Sequence, residues 1–312
     1  MGDVYYAHRM RKIVGKEDFL RYFERTVRRT IEKFKMFNRG AKVLVAVSGG
    51  KDSLALLYAL TSLAEELGIK VIGLTINLGI KRYSGKVAKI AEYHYKRLGL
   101  DYLIIDLKEE YGVSLDELTK VRELRRPPCS ICGIVKRYLM NKIGLELGVN
   151  VIATGHNLND LAQFIIFSLI NGRLEDLSKL TPYVPGVGGL LIAKAKPLAF
   201  TYEDETLSYV KAKGLKYLTE KCPYKPKKGL QLYIRGALNY LEEREPSSLY
   251  NLVNNVVRKI NPLLKGKEEG LGKCEKCGMP SKGKICSFCK VMELSKPKLG
   301  LWSQSRKNSS PI

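Results

Sequence analysis

Apolar and polar positions along the chain follow two patterns, short apolar runs and longer stretches with a helical period. The strand-like runs are residues 43–47, 71–78, 102–105, 149–153 and 190–195. The helix-like stretches are residues 54–67, 85–98, 133–147 and 158–170. Short apolar strands separated by helices of this length predict right-handed crossovers and a parallel sheet covered on both faces. We therefore expect an α/β core with five parallel strands at about 41–215.

The segments outside this core predict four further parts. Residues 1–40 form a basic N-terminal arm, in which residues 17–37 have an apolar stripe at helical spacing that would pack on the core. Residues 216–265 predict a basic helical segment. Pro246, Pro262 and the Lys-, Gly- and Glu-rich stretch 265–273 mark a boundary before a small cysteine-rich unit at 270–292. A tail at 293–312 follows, and we expect Ser303 to Ile312 to be disordered.

The composition predicts a globular protein of the cytoplasm. With 312 residues, of which 45% are hydrophobic, the chain can bury a sizeable core. No apolar run approaches the roughly 20 residues of a membrane span. Met1 to Lys12 are polar and basic, without the apolar segment of a signal peptide. We therefore expect a cytoplasmic location and no membrane partner.

The net charge of +23 is concentrated in the two flanks. Residues 1–40 carry 11 Lys and Arg against 5 Asp and Glu, residues 41–210 carry 21 against 18, and residues 211–312 carry 22 against 8. A lysine-rich surface of the thermophile type would balance lysine with glutamate throughout. A membrane surface would need a strongly amphipathic helix anchored by Trp or Phe, which the sequence does not show. The segregated charge therefore favours a polyanionic partner, of which nucleic acid is the commonest.

The most informative motif is the glycine turn after the first core strand, A-V-S-G-G-K-D-S at residues 46–53. Adjacent glycines let backbone N–H groups approach an anion, the helix N-terminus adds a positive dipole, and Lys51 adds a full charge. An ordinary turn also explains a lone glycine pair, whereas a Walker A loop would need glycine at Val45 and a hydroxyl at Asp52. The motif resembles the signature of the PP-loop ATP pyrophosphatases. This resemblance implies that ATP, with Mg²⁺, is bound by Ser48, Gly49, Gly50, Lys51, Asp52 and Ser53.

A second polar turn, T-G-H-N at residues 154–157, follows another predicted strand. Ligands of parallel sheets bind at the carboxyl ends of the strands, so the two turns should form one site. Gly155 and His156 are therefore candidate nucleotide-binding residues. His156 can also be interpreted as a helix-entry residue without a role in the site, although its position after Thr-Gly favours the site.

The seven cysteines form two sets, of which the first lies near the C-terminus. Its pattern is C-x-x-C, eight residues, and C-x-x-C, with Gly278 and Gly283 available for tight knuckles. This spacing predicts a compact structural zinc ribbon, because the alternative of two disulfides is disfavoured in a reducing cytosol. The predicted Zn²⁺ ligands are Cys274, Cys277, Cys286 and Cys289.

The second set is Cys129, Cys132 and Cys222. The first two stand in P-P-C-S-I-C-G directly before a predicted helix, whose dipole would favour thiolates. One interpretation makes them a redox pair, with Cys222 as a buried structural thiol. The other is that three thiolates without a fourth hold an iron–sulfur cluster with one open iron site. The residues alone leave both interpretations open.

Taken together, the motifs resemble the TtuA-type tRNA 2-thiouridine synthetases from about residue 17 to residue 290. The resemblance rests on the zinc ribbon and on P-P-C-S-I-C-G-I-V-K-R-Y-L-M-N (127–141), A-T-G-H-N-L-N-D-L-A (153–162), K-P-L (196–198) and E-K-C-P-Y (220–224). It implies that ATP adenylates the C2 oxygen of a tRNA uridine and that sulfur comes from the thiocarboxylate of a ubiquitin-like carrier protein. It further implies that Cys129, Cys132 and Cys222 hold a [4Fe-4S] cluster, and that Lys136 and Asp160 are catalytic.

Two departures from the family pattern keep further functions open. No cysteine precedes Cys129, so the N-terminal arm, which is a second zinc ribbon in the family, must fold without metal. The family motif H-N-L-D-D-E-A has Asn159 and Leu161 here, which favours a non-catalytic tRNA-binding paralogue. The sequence is also compatible with a wobble-uridine thiolase, in place of the favoured T-loop-uridine enzyme, and with an amide-forming PP-loop ligase without a cluster. Whether the protein is a homodimer stays open.

Overall fold

A twisted sheet with helices on both faces forms the centre of the structure, a computed structural model that describes residues 3–264 and 270–295. Within these residues the strands are β1 (Val4–Ala7), β2 (Lys12–Gly15), β3 (Lys42–Ala46), β4 (Lys70–Asn77), β5 (Asp101–Asp106), β6 (Val151–Thr154), β7 (Tyr183–Val184), β8 (Ala193–Ala195), β9 (Gly272–Lys273) and β10 (Pro280–Ser281). The α-helices are α1 (Lys16–Lys33), α2 (Lys51–Ser62), α3 (Ala64–Leu67), α4 (Ser84–Leu98), α5 (Leu107–Tyr111), α6 (Leu115–Leu118), α7 (Pro128–Glu146), α8 (Leu158–Ile170), α9 (Leu174–Leu177), α10 (Glu203–Ala212), α11 (Leu230–Arg244), α12 (Ser248–Asn255) and α13 (Ser287–Ser295). A π-helical turn at Val256–Ile260 continues α12.

The central sheet has the strand order β5-β4-β3-β6-β8-β7. Its first five strands are parallel, as the sequence predicts. The sixth, β7, pairs antiparallel with β8 at the edge and was not predicted, since a two-residue strand carries no periodicity. The predicted strand 190–195 is shorter in the structure, because Leu191 pairs with Val187 in a tight turn before β8 begins.

Both faces of the sheet are covered because the central strands are apolar at consecutive positions. Val43 and Val45 pack into the larger core cluster on one face, with helices α1 and α2. Leu44 packs into a separate cluster on the other face, together with Ile72 and Ile152 from the neighbouring strands. The α/β class expected from the sequence is therefore confirmed.

The N-terminal arm consists of a hairpin and a helix that pack on the core. Strands β1 and β2 form an antiparallel hairpin, and α1 lies against the core through Phe19 and Phe23, both fully buried. The helix ends at Lys33, earlier than the predicted residue 37, because Lys35 adopts a left-handed conformation with φ 46°. The buried carboxylate of Glu205 in α10 anchors the hairpin: it accepts hydrogen bonds from the Tyr22 hydroxyl (2.7 Å) and from the backbone N–H of His8 (3.1 Å).

The C-terminal elements dock on two different helices of the core. Helices α11 and α12 pack on α8 through an apolar cluster that includes Leu161, Ile234 and Val253. The cysteine-rich unit pairs β9 with β10 and lays α13 against α7, where the rings of Phe288 and Tyr138 stack with centroids 3.7 Å apart. The predicted disordered segment Ser303 to Ile312 lies outside the described residues. Within the described residues, no helix has the length and apolar character needed to cross a membrane.

Candidate functional site

The glycine turn forms a preshaped loop between β3 and α2. Gly49 has φ 74°, in the left-handed region that favours glycine, and Gly50 caps the N-terminus of α2. The Ser53 hydroxyl accepts a hydrogen bond from the Ser48 N–H (3.1 Å) and donates one to the Gly50 carbonyl (3.0 Å). These bonds fix the loop, while the first N–H groups of the 12-residue α2 have no partner within the helix and can bind an anion.

The turn at residues 154–157 packs directly against this loop, at the carboxyl ends of β3 and β6. A Cβ atom on Gly155 would lie 2.9 Å from the backbone of both Asp52 and Ser53, so only glycine fits. The Asn157 side-chain amide donates to Asp52 Oδ1 at 3.1 Å. The structure thus places the two predicted turns side by side, as their positions after parallel strands imply.

Five charged side chains form a connected set of ion pairs at the loop, and two of them were not predicted. Lys51 Nζ lies 2.8 Å from Asp52 Oδ1 and 3.1 Å from Glu203 Oε1. Glu203, the first residue of α10, also forms an ion pair with Arg235 of α11, whose Nη2 lies 3.9 Å from Asp160 Oδ1. Glu203 and Arg235 lie outside the sequence motifs, and the packing of helices α10 and α11 brings them to the loop.

Asp160 has the most perturbed carboxyl group of the site. Burial raises its pKa to about 6, and the negative charges of Asp52 and Glu203 act in the same direction. Arg235 and the Asn157 N–H, which donates to Asp160 Oδ2 at 3.4 Å, counteract part of the rise. Asp160 therefore changes its protonation near neutral pH, which suits a group that moves a proton.

His156 is neutral over the physiological pH range. Burial lowers its pKa to about 4, and the nearby Lys196 ammonium acts in the same direction. Its Nδ1 lies 2.8 Å from the Thr154 hydroxyl. Burial also lowers the pKa of Lys196 to about 8, with Lys194 contributing. A neutral imidazole and a positive ammonium thus lie together beside the loop.

The two residues that depart from the family motif have structural roles. Leu161 is fully buried in the apolar cluster between α8, α11 and α12. Asn159 Oδ1 accepts the backbone N–H of Glu203 at 3.0 Å and so fixes the start of α10. The carboxylates beside the loop are accordingly Asp52, Asp160 and Glu203.

Cys129, Cys132 and Cys222 converge from two distant segments. Cys129 and Cys132 lie in the first turns of α7, and Cys129 Sγ is 3.4 Å from the Tyr224 carbonyl, which brings the Cys222 segment alongside. The sequence predicts thiolates favoured by the helix dipole, but burial instead raises the pKa of both α7 thiols. Lys136, one turn farther along α7, opposes this rise for both. Three thiols beside a cation fit the donor set of a [4Fe-4S] cluster.

The segment that carries Cys222 is tied to the nucleotide loop. The Leu218 N–H donates to the Gly49 carbonyl at 2.8 Å, and Glu220 forms an ion pair with Lys86 of α4 at 2.5 Å. Cys222 follows two residues later. The three-cysteine site and the loop therefore share one edge of the sheet.

The four remaining cysteines form a separate cluster. Their sulfur atoms all lie within 4.8 Å of one another, the only such group of three or more His, Cys, Asp or Glu side chains in the part of the chain that the structure describes. Burial raises the pKa of Cys274, but backbone N–H groups that donate to its sulfur lower the pKa overall to about 6. One of these donors is the Cys286 N–H, 3.2 Å from Cys274 Sγ. Four convergent thiols fit a tetrahedral metal ion. Its ligands would be Cys274, Cys277, Cys286 and Cys289.

A cavity of about 590 Å³ lies away from this edge. It is lined by Arg39, Ala41, Asn150 and Val151, at the amino ends of β3 and β6. Ligands of parallel sheets bind at the opposite, carboxyl edge, so this cavity is not part of the site described above.

Comparisons with known proteins point to one family. A PP-loop domain model matches residues 22–228. The chain is 41% identical over 292 residues to the tRNA-5-methyluridine(54) 2-sulfurtransferase of Pyrococcus horikoshii, covering 93% of this chain and 90% of that protein. It is 39% identical over 279 residues to the protein of the same name from Thermus thermophilus, and the match covers 89% of this chain and 84% of that protein. The fold is also similar to that of a solved structure, the U34-tRNA thiolase NcsA from Methanococcus maripaludis with its [4Fe-4S] cluster. The two chains superpose with a TM-score of 0.77 at 28% identity, and the match covers 97% of this chain and 95% of NcsA.

Proposed function

Because the chain belongs to the PP-loop family and, within it, to the TtuA-type tRNA 2-thiouridine synthetases, we propose that it thiolates the uridine at position 54 in the T-loop of tRNA. The membership confirms the family expected from the sequence, and with it an ATP-dependent tRNA sulfurtransferase. The observation that carries the proposal is the hydrogen bond between Leu218 and Gly49, which holds the three-cysteine segment against the nucleotide loop.

In the proposed reaction, the uridine C2 oxygen attacks the α-phosphate of ATP, and pyrophosphate leaves. The loop N–H groups and Lys51 bind the phosphates, and Mg²⁺ is the expected counter-ion. Asp160, with its pKa near 6, is positioned to accept or return a proton during the exchange. Sulfur then replaces the oxygen at C2, and AMP leaves with that oxygen.

The three thiols of Cys129, Cys132 and Cys222 are the proposed ligands of a [4Fe-4S] cluster. Such a cluster, bound by three thiolates, supplies one iron without a protein ligand, at which sulfur can bind. Lys136 would balance the negative charge of the thiolates, since it already lowers the pKa of Cys132 against the effect of burial. A ubiquitin-like carrier with a C-terminal thiocarboxylate is the proposed sulfur donor. Zn²⁺ is proposed for the four-cysteine ribbon, where it closes the ligand shell.

Transfer RNA is the proposed macromolecular substrate, and the flanks are its proposed binding surface. Helix α11 presents Tyr233 and Tyr240, which are 69% and 61% exposed, and the Arg244 guanidinium lies 5.5 Å from the Tyr240 ring centroid. Exposed aromatic rings next to cations suit stacking on unpaired bases and contacts with phosphates. All seven cysteines are unpaired, which fits the reducing cytoplasm as the proposed compartment.

A wobble-uridine thiolase is the second candidate, because NcsA matches nearly the whole chain. An anaerobic assay with purified, cluster-loaded protein, ATP and a sulfide donor separates the two, using tRNA transcripts in which either U54 or U34 is replaced by cytidine. We expect 2-thiouridine in the U34→C transcript and none in the U54→C transcript. The reverse pattern would establish the wobble enzyme.

Two further outcomes of the same assay would indicate a different function. Formation of AMP without iron in the protein and without 2-thiouridine in any transcript would indicate a PP-loop ligase of another kind. Binding of tRNA without AMP formation would indicate a non-catalytic paralogue.

A further inference from the structure

Glu203 occupies a position in the nucleotide site that a phosphate group would also suit. One of its carboxylate oxygens lies 3.1 Å from Lys51 Nζ, and the other pairs with the Arg235 guanidinium. The side chains of Lys51, Arg235 and Glu203 are only 20%, 26% and 33% exposed, so these pairs are partly withdrawn from solvent. A planar guanidinium and an ammonium that converge on one anion form an arrangement that also recognises phosphate.

The backbone of Glu203 is fixed, which leaves its side chain as the part that can move. Its N–H donates to Asn159 Oδ1 at 3.0 Å, and its carbonyl accepts from the Thr206 hydroxyl at 2.7 Å. The same hydroxyl lies 2.5 Å from Asp52 Oδ1. The start of α10 is therefore anchored to both α8 and the nucleotide loop.

The charges around the loop do not suit a polyanion as they stand. Lys51 and Arg235 are each already paired with carboxylates, Lys51 with Asp52 and Glu203, and Arg235 with Glu203 and Asp160. A triphosphate brought to the loop would meet repulsion from the carboxylates and would compete with Glu203 for both cations.

We propose that Arg235 is a phosphate-binding residue of the nucleotide site and that Glu203 is an internal competitor, which holds Arg235 and Lys51 until the phosphates of ATP replace its carboxylate. The inference rests on the proposed function, because it assumes that the loop binds ATP. It assigns a role to two residues outside the sequence motif. It also gives Asn159 an indirect role in the site. Asn159 binds no ligand itself, but it fixes the start of helix α10, from which the Glu203 side chain reaches Lys51 and Arg235.

The test measures binding of a non-hydrolysable ATP analogue with Mg²⁺ by calorimetry, in the full-length protein without tRNA. Glu203→Gln removes the competing charge at nearly constant volume, and we expect a Kd lower by about fivefold. Arg235→Ala should raise the Kd by about tenfold. Two matched controls make the same substitutions in ion pairs outside the site. Glu92→Gln breaks the pair between Glu92 and Lys96 on α4, and Arg21→Ala breaks the exposed pair between Arg21 and Asp18. Both should leave the Kd unchanged.

The double variant decides whether competition is the cause. If Glu203 competes for Arg235 and Lys51, the gain from Glu203→Gln should shrink when Arg235 is already alanine. An unchanged or higher Kd for Glu203→Gln, with thiolation by the wild type intact, overturns this inference alone. Absence of nucleotide binding in the wild type and in both single variants overturns the proposed function as well.

Discussion

Asp160 is the residue through which pH should control the reaction. Its pKa of about 6 means that it is largely ionised at pH 7.5 and largely protonated at pH 5. If the carboxylate form is required, AMP formation should fall by about tenfold per pH unit below pH 6. Initial rates between pH 5 and 8, measured at saturating ATP, check this expectation.

The Asp160→Asn variant provides the companion measurement. Its residual rate should be low and flat across the same range. A raised pKa also means that the stability contributed by Asp160 is full below its ordinary pKa of 3.8 and is lost as pH rises through about 6. The variant should therefore melt at a higher temperature than the wild type at pH 7.5. An identical pH profile in both proteins would exclude Asp160 as the titrating group.

Residues of the site differ in how far the sequence could predict them. Lys51 and Gly155 were predictable because each follows a strand in a motif whose chemistry is local. Glu203 and Arg235 were not, since only the packing of α10 on α2 and of α11 on α8 brings them to the loop. The helix dipole that favours thiolates in α7 could be read from the motif, whereas the partial burial that raises the pKa of both thiols depends on neighbours distant in sequence.

At the scale of elements, the hairpin of β1 and β2 depends on the polar contacts of His8 and Glu205. The imidazole of His8 stacks on the Tyr202 ring with centroids 4.1 Å apart, and its Nε2 lies 2.6 Å from Asp204 Oδ2. Burial opposes protonation, but the hydrogen bond to Asp204 and the charges of Asp204, Glu205 and Glu242 raise the pKa of His8 overall.

The hairpin should consequently be held more weakly at alkaline pH. Because the pKa of His8 is raised in the folded protein, its contribution is full below the ordinary value of 6.5 and is lost as pH rises through the raised pKa. Hydrogen-exchange protection factors at Tyr5 and Tyr6, which correct for intrinsic exchange, should fall between pH 6 and 9. In His8→Gln they should be low throughout. If the protection factors of His8→Gln fell by the same amount over this pH range, a group other than His8 would be responsible.

The elements themselves were predicted best where burial is uniform. Strands β3 and β6 lie at the centre of the sheet, so their apolar runs are continuous and their limits were found to within two residues. The predicted helix 54–67 is divided in the structure into α2 and α3, with Leu63 between them, and the short edge strand β7 was missed. These features depend on neighbours distant in sequence, which periodicity does not record.

At the scale of the molecule, the basic flanks should make tRNA binding strongly dependent on salt. Each phosphate that a Lys or Arg neutralises releases counter-ions, so affinity should fall by about a hundredfold or more between 50 and 200 mM salt. Fluorescence anisotropy with labelled tRNA measures this slope. The Lys51→Ala variant should show the same salt dependence of tRNA affinity, because Lys51 belongs to the nucleotide loop and not to the basic flanks. A flat affinity over the same range would contradict an electrostatic binding surface.

The two cysteine sets should respond differently to substitution. Cys222→Ser removes one of three proposed cluster ligands, so it should abolish the broad iron–sulfur absorbance and thiolation together while the zinc content is retained. Cys286→Ser opens the four-cysteine shell and should lose zinc and lower the melting temperature, with the cluster still loaded at low temperature. Metal analysis and visible absorbance on anaerobic protein check both. Normal thiolation by Cys222→Ser would return Cys129 and Cys132 to the redox-pair interpretation.

The stacking of Phe288 on Tyr138 also bears on the order in which the protein is made. Synthesis runs from the N-terminus, so the helix that carries Cys129 and Cys132 leaves the ribosome long before Phe288 does. At about 5–20 residues per second, this interval lasts on the order of ten seconds. During it, Tyr111 and Tyr138 lack the ring that packs against both of them in the finished protein. We expect the nascent chain to be most accessible to iron delivery in the later part of this interval, after Cys222 has also been made.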